Sequence, residues 1–103
     1  GLWLEVSREV AKKYTDIEKR IKDYRQELHQ TSYSKSQLAT QFSELEKIDR
    51  LISQYSDDLD RYGPKPEILN TLMDLYHKKV KVMDRMLNEI QKSKKNENKN
   101  INI

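Results

Sequence analysis

Histidine is the side chain best suited to acid–base catalysis and metal binding near neutral pH, and this chain has two, His29 and His77. A histidine metal site or general base needs a second histidine or a carboxylate at helical spacing. His77 has Asp74 three residues before it and Lys81 four residues after it, but no second histidine nearby. His29 lies at a predicted helix end, where a cation interacts favourably with the helix dipole. We therefore interpret His77 as an ordinary, partly exposed residue and His29 as a capping residue.

Other patterns that carry chemistry are missing from the sequence. The absence of cysteine excludes disulfides and thiolate metal sites. With two glycines, the chain has no glycine-rich phosphate loop, and it has no nucleophile motif. We expect a protein that is not an enzyme, with no catalytic, cofactor-binding or metal-binding residues and no cofactor.

The charge is mixed and close to balanced. Twenty Lys and Arg against 17 Asp and Glu give a net charge of +3, which steers the chain only weakly towards nucleic acid or lipid. The basic run of Lys78, Lys79, Lys81 and Arg85 lacks the interleaved exposed aromatic residues of nucleic-acid-binding surfaces. We interpret it as a solvated helix face and expect no nucleic-acid partner. No apolar run approaches the ~20 residues of a membrane span.

Apolar residues at alternating spacings of three and four predict three long helices, at about residues 2–29, 35–62 and 66–93. Each is about 27 residues, or roughly 40 Å, long. The seam of the first helix begins with Trp3, which we expect to anchor the open end of the fold against the other two helices. The seam of the second runs through Leu38, Phe42, Leu45, Ile48, Ile52, Tyr55, Leu59 and Tyr62.

The start of the second helix has two agreeing signals. Ser34 with Gln37 three residues later forms a capping-box pattern. Tyr33 and Leu38 flank it at the spacing of a hydrophobic staple. These signals predict Ser34 as the N-cap.

The break before the third helix is marked by glycine and proline. Gly63 suits a left-handed cap that ends the second helix. Pro64 prevents the helix from continuing, and Pro66 suits a first helical position, where no N–H is needed. Glu67 then lies at the positive end of the next helix dipole.

Short connections make neighbouring helices antiparallel. The sequence therefore predicts an all-α fold, an antiparallel up-down-up three-helix bundle of long helices over residues 1–93. The remaining residues, 94–103, are polar and Asn-rich without periodicity, and predict a disordered tail or linker.

The third helix has an apolar arc of roughly 180°, wider than the ~100° of an ordinary surface helix. One flank, Ile68, Leu75 and Val82, repeats every seven residues, as helix-in-groove anchors do. We predict that this flank lies beside a groove facing the second helix and binds an amphipathic helix of a protein partner. The opposite flank is then core against the first helix: Met73, Val80 and Leu87. The alternative is that both flanks are buried because this helix is central.

Once the helices are placed, the chain resembles the N-terminal three-helix (Habc-like) domain of Golgi Qb-SNAREs of the Golgi SNAP receptor family. The resemblance covers about residues 3 to 95. It is carried by Trp3, the segment LEKIDRLISQYSDDLDRY at 45–62, the proline break, Leu72-Met73 with His77, and the closing Glu89, Lys92 and Lys94. The chain departs from the family in its first connection, which is short here and longer and serine-rich there.

The resemblance implies a regulatory domain for vesicle transport and membrane fusion, on the cytoplasmic face of Golgi membranes. It implies partners such as a tether, an SM-type regulator or a SNARE motif, and membrane attachment only through segments absent from this chain. A spectrin-like or scaffolding three-helix module of a larger helical assembly is the alternative. A chromatin or RNA adaptor would need more positive charge.

Overall fold

A computed structural model of the chain describes the backbone of residues 2–30, 33 and 36–101, and the side chains of residues 8–9, 11–30, 33 and 36–93. These residues form three α-helices, α1 (Leu2–Gln30), α2 (Ala39–Tyr62) and α3 (Pro66–Ile101), and no strand. The all-α three-helix bundle predicted from the sequence is confirmed. The side chain of Trp3, the predicted end anchor, lies outside the described residues.

Helix α2 runs antiparallel to α3. Lys79 Nζ lies 2.7 Å from Asp49 Oδ1, and Arg85 Nη2 lies 3.4 Å from Glu44 Oε2. Moving forward along α3 therefore means moving backward along α2.

Helix α1 runs parallel to α3. The rings of Tyr14 and Tyr76 meet edge to face with centroids 5.5 Å apart. Further along both helices, the hydroxyl of Tyr24 donates to Asp84 Oδ1 at 2.9 Å. Together with the antiparallel α2, this register gives the up-down-up order.

Helix α3 is the shared packing partner of the other two helices. It contacts both α1 and α2, whereas no Cα atoms of α1 and α2 come within 8 Å of each other. The Cα trace measures 65 × 23 × 17 Å, an elongated and rather flat shape. The first two helices therefore lie side by side on the third, with a cleft between them.

The core confirms the central position of the third helix. Eight of the twelve fully buried hydrophobic side chains among the described residues belong to α3. Met83 and Met86 are among them, at 4% and 0% exposure, so these methionines are core residues. Helix α1 adds Ile17, Ile21 and Leu28.

The start of α2 differs from the prediction. The helix begins at Ala39, after a turn over residues 36–38, rather than at residue 35. Ser34 lies outside the described residues, and the side chain of Gln37 donates to Ser93 Oγ at 2.6 Å instead of capping the helix. Leu38 occupies the N-cap position without a side-chain cap and is 0% exposed. The start of α2 is therefore anchored in the core by this buried leucine.

The break between α2 and α3 lies at the predicted residues, but the cap differs from the prediction, because Gly63 combines φ +80° with ψ 180° and so lies outside the left-handed helical region. Gly63 has φ +80°, a conformation that disfavours side chains with a Cβ, and its N–H donates to the Leu59 carbonyl at 2.9 Å. Pro66 is the first residue of α3, and Glu67 lies in its first turn. Glycine and proline therefore mark this boundary as predicted.

The backbone of α3 continues to Ile101, past the predicted end at residue 93 and into the segment predicted as a disordered tail. The sequence offers a reason, because no proline or glycine follows Pro66 and nothing there breaks a helix. The side chains of residues 94–103 lie outside the described part of the chain.

Candidate functional site

Helix α2 leaves its apolar seam partly uncovered. None of its 24 residues is fully buried, and Leu51 and Tyr62 are 41% and 56% exposed. The other seam residues of α2 are half-buried: Phe42, Leu45, Ile48, Ile52, Tyr55 and Leu59. Packing on α3 alone covers only one side of α2, so apolar surface remains available along both of its edges.

One edge of α2 forms a groove with α3, of about 410 Å³. Its apolar residues are Ile48, which is half-buried, and Val82, which is 3% exposed. We call this the basic groove, and its complete lining is Glu44, Lys47, Ile48, Lys78, Lys81, Val82 and Arg85.

The basic groove carries four cations and one carboxylate. That excess equals the net charge of +3 of the whole chain, which is otherwise balanced. The carboxylate is Glu44, paired with Arg85 at the groove edge. The groove thus has a local excess of positive charge beside its apolar strip, Ile48 and Val82. The segment 92–99 also has such an excess, with four lysines and one glutamate.

A side-chain hydrogen bond continues the same helix faces beyond the groove. Gln41 and Glu89 lie seven residues from Ile48 and Val82, so they share those faces. Gln41 Nε2 donates to Glu89 Oε1 at 3.0 Å. The Gln41 Oε1 atom is buried and has no hydrogen-bond partner among the described residues. This polar contact holds α2 against α3 where the apolar strip ends.

The other edge of α2 faces α1 across the cleft between the two helices. This cleft has a volume of about 480 Å³. Lys79 crosses from α3 to Asp49, and its side chain is only 14% exposed. The cleft lining mixes both charge signs with apolar residues: Glu18, Ile21, Lys22, Arg25, Asp49, Ile52, Tyr76 and Lys79. Its most buried cation is therefore already neutralised by an ion pair.

Tyr76, which lines this cleft, and Tyr14, which packs against the Tyr76 ring, both have raised pKa values. Burial raises the pKa of Tyr14 to about 12, and the neighbouring Tyr76 adds to the shift. Burial also raises the pKa of Tyr76, helped by the negative charges of Glu18 and Asp49. The hydroxyl of Tyr14 donates to the Leu69 carbonyl at 3.3 Å. Both phenols are thus held neutral well above physiological pH, as suits packing residues.

The predicted partner-binding residues do not share one surface. Val82 lines the basic groove between α2 and α3. Leu75 is 6% exposed and Ile68 is half-buried, and neither lines that groove. In the opposite flank Val80 and Leu87 are buried and Met73 is half-buried. A role of Ile68 and Leu75 in partner binding remains a prediction.

Sequence reasoning missed the residues that surround Val82. The sequence pattern places Ile48 in a continuous apolar seam and indicates a solvated helix face for the basic run from Lys78 to Arg85. The signal that identifies them is the antiparallel register, because it brings Lys47 and Ile48 of α2 opposite Lys78 to Arg85 of α3.

Both histidines are exposed, with His29 in the last turn of α1. In the described part of the chain, no group of three or more histidine and acidic residues is placed to hold a metal ion. Nor is any helix, over those same residues, long and apolar enough to cross a membrane.

Comparisons with known protein families, curated proteins and solved structures gave no match to this chain.

Proposed function

We propose that this chain is a non-enzymatic helical protein-interaction domain that binds an amphipathic helix in the basic groove. The observation that supports it is the incomplete burial of α2, where no residue is fully covered although eight apolar residues form its seam and flank. Half-covered apolar surface beside a groove is the arrangement that helix-in-groove recognition uses.

At a finer level, we propose that the domain is the regulatory N-terminal domain of a SNARE in Golgi vesicle transport. The support is the resemblance of the sequence to Golgi Qb-SNAREs and the three-helix fold that this resemblance implies. Its partner would be a tether, an SM-type regulator or a SNARE motif. Attachment to the cytoplasmic face of Golgi membranes would come from segments outside this chain.

A matched pair of substitutions in α2 tests the binding surface. Ile48→Gln alters the basic groove, whereas Leu51→Gln alters an exposed apolar residue outside it. Glutamine keeps good helix propensity, so both variants should stay folded by circular dichroism. In cells that carry each variant in the full-length protein, we expect Ile48→Gln alone to slow Golgi transport of a secreted reporter. Equal transport by both folded variants would refute a role for the groove in Golgi transport.

The full-length gene tests the SNARE proposal separately. We expect about sixty residues of heptads with a central glutamine after Ile103, followed by an apolar segment of ~20 residues. We also expect a fluorescently tagged full-length protein to co-localise with Golgi markers. A gene without the heptads and the apolar segment would refute the SNARE proposal and leave the interaction domain standing.

One observation favours the scaffolding alternative. Because α3 continues to Ile101, it has the form of a helix that leads into a following module, as spectrin-like repeats require. A scaffold predicts that the full-length gene encodes further three-helix units directly after this one, so the same gene sequence separates the two candidates.

A further inference from the structure

We propose that the occupant of the basic groove is an acidic amphipathic helix supplied by a separate partner protein. This inference rests on the proposed function and adds the charge of the partner. It follows from the position of the cations, which line both sides of the apolar strip. Lys47 lies on α2, and the other three, Lys78, Lys81 and Arg85, lie on α3.

The cations are exposed and largely unpaired. Arg85 is 61% exposed and lies 3.4 Å from Glu44, a long and solvated ion pair. Lys47, Lys78 and Lys81 are exposed, and none forms an ion pair with another described residue. Four like charges around one groove repel one another, so anionic groups from outside would relieve that repulsion.

The spacing of these cations suits a helical occupant. Lys78, Lys81 and Arg85 follow at steps of three and four, so they extend along one face of α3 over roughly 10 Å. A helix that lies along the groove would place apolar residues against Ile48, the half-buried apolar residue of the lining. Acidic residues on both sides of that stripe would then face Lys47 on one helix and the α3 cations on the other.

The groove shape favours a protein helix over a membrane surface. The groove lies between two helices, where Ile48 is half-buried and Val82, only 3% exposed, is almost completely covered by the protein itself. A narrow ridge of side chains reaches such a recess, whereas a flat bilayer meets only the protruding lysines. The apolar and basic parts of the groove can therefore act together only on a rod-shaped ligand.

Three synthetic peptides test the proposal. All share a leucine stripe at heptad a and d positions over about 21 residues. The remaining positions are mainly glutamate in the first, glutamine in the second and lysine in the third. Binding to the folded chain is measured by fluorescence anisotropy. We expect the acidic peptide to bind about tenfold or more tighter than the glutamine peptide, with a preference that shrinks as salt is raised.

Two double substitutions that change the net charge by the same amount test whether the acidic peptide binds in the basic groove. Lys78→Glu with Lys81→Glu should weaken binding of the acidic peptide by about tenfold or more. Lys12→Glu with Lys13→Glu is the matched control, because both lysines are exposed on α1 outside the groove. Ile48→Gln should weaken both the acidic and the glutamine peptide, since it removes an apolar contact that they share.

The outcomes separate the two proposals. If the acidic and glutamine peptides bind equally in the groove, the acidic partner is wrong and helix binding stands. If no peptide binds, both proposals fail. Equal loss of acidic-peptide binding from the two double reversals would show nonspecific attraction, which overturns the acidic partner.

Binding to phosphatidylserine vesicles that depends on Lys78 and Lys81, without peptide binding, would assign the groove to membranes and overturn the proposal. A dimer of this chain that the same reversals dissociate would assign it to a second copy, with the same consequence.

Discussion

At the scale of single residues, Tyr14 joins α1 to α3 through its ring contact with Tyr76 and through a hydrogen bond from its hydroxyl to a backbone carbonyl of α3. The rings lie 5.5 Å apart, and the Tyr14 hydroxyl donates to the Leu69 carbonyl. Burial raises the pKa of Tyr14 to about 12, so the folded chain retains this proton more strongly than the unfolded chain does. The tyrosine contact is therefore coupled to pH in the alkaline range.

The sign of that coupling follows from linkage. Below the unfolded pKa near 10 the hydroxyl is protonated in both states, and its contribution to stability is fully present. As pH rises towards about 12, the unfolded chain ionises Tyr14 first, and that contribution is lost. At about pH 9 we expect Tyr14→Phe to be less stable than the parent by about 0.5–1.5 kcal/mol, because it lacks the hydrogen bond.

Urea unfolding at about pH 9 and about pH 11 measures this coupling. The difference in free energy of unfolding between the parent and Tyr14→Phe should narrow at the higher pH. Lysines that titrate in the same range affect both proteins and cancel in the comparison. A difference that stays constant would mean that the Tyr14 hydroxyl titrates alike in the folded and unfolded chains.

At the scale of single elements, α2 is held at its start by burial. Leu38 is 0% exposed and occupies the N-cap position without a side-chain cap, whereas Leu51 in mid-helix is 41% exposed. We predict that Leu38→Ala costs about 2–5 kcal/mol and Leu51→Ala less than about 0.5 kcal/mol. Chemical unfolding followed by circular dichroism measures both costs. Similar costs for the two substitutions would contradict the packing of α2 described here.

The elements could be predicted from the sequence wherever local chemistry decides them. Gly63 and Pro66 mark the second break because backbone sterics act within a few residues. The start of α2 could not be predicted this way, because burial of Leu38 depends on residues far along the chain. The capping-box pattern placed the start at Ser34, while the helix begins at Ala39.

At the scale of the whole molecule, both α1 and α2 pack on α3 and not on each other. The width of the α3 apolar arc indicated either this central role or a second apolar surface on the same helix. Periodicity does not show how deeply each residue is buried, and Leu75, a predicted partner-binding residue, is only 6% exposed. Nor does the pattern of a single helix show how far α1 and α2 stand apart. The proximity of the groove cations could be recognised only from the register of α2 against α3, which brings Lys47 close to the basic residues of α3.

The burial of both side chains predicts the effect of replacing Leu75 and Val82 with glutamate. Two carboxylates placed in positions only 6% and 3% exposed should abolish cooperative folding, since each buried charge costs several kcal/mol. Lys78→Glu, at an exposed site on the same helix, is the control and should remain folded. Thermal melts followed by circular dichroism compare them. A folded double variant would show that this flank reaches solvent, as a docking surface made of Leu75 and Val82 requires.

The central claim is that the basic groove between α2 and α3 is the binding surface of this domain. The most direct measurement is a titration of the ¹⁵N-labelled chain with the acidic leucine-stripe peptide, followed by amide chemical shifts. We predict that the largest changes fall on residues 44–48 of α2 and 78–85 of α3, and that signals of residues 18–25 in α1 change little. Changes centred on α1 and the α1–α2 cleft, with the groove residues unmoved, would contradict the claim.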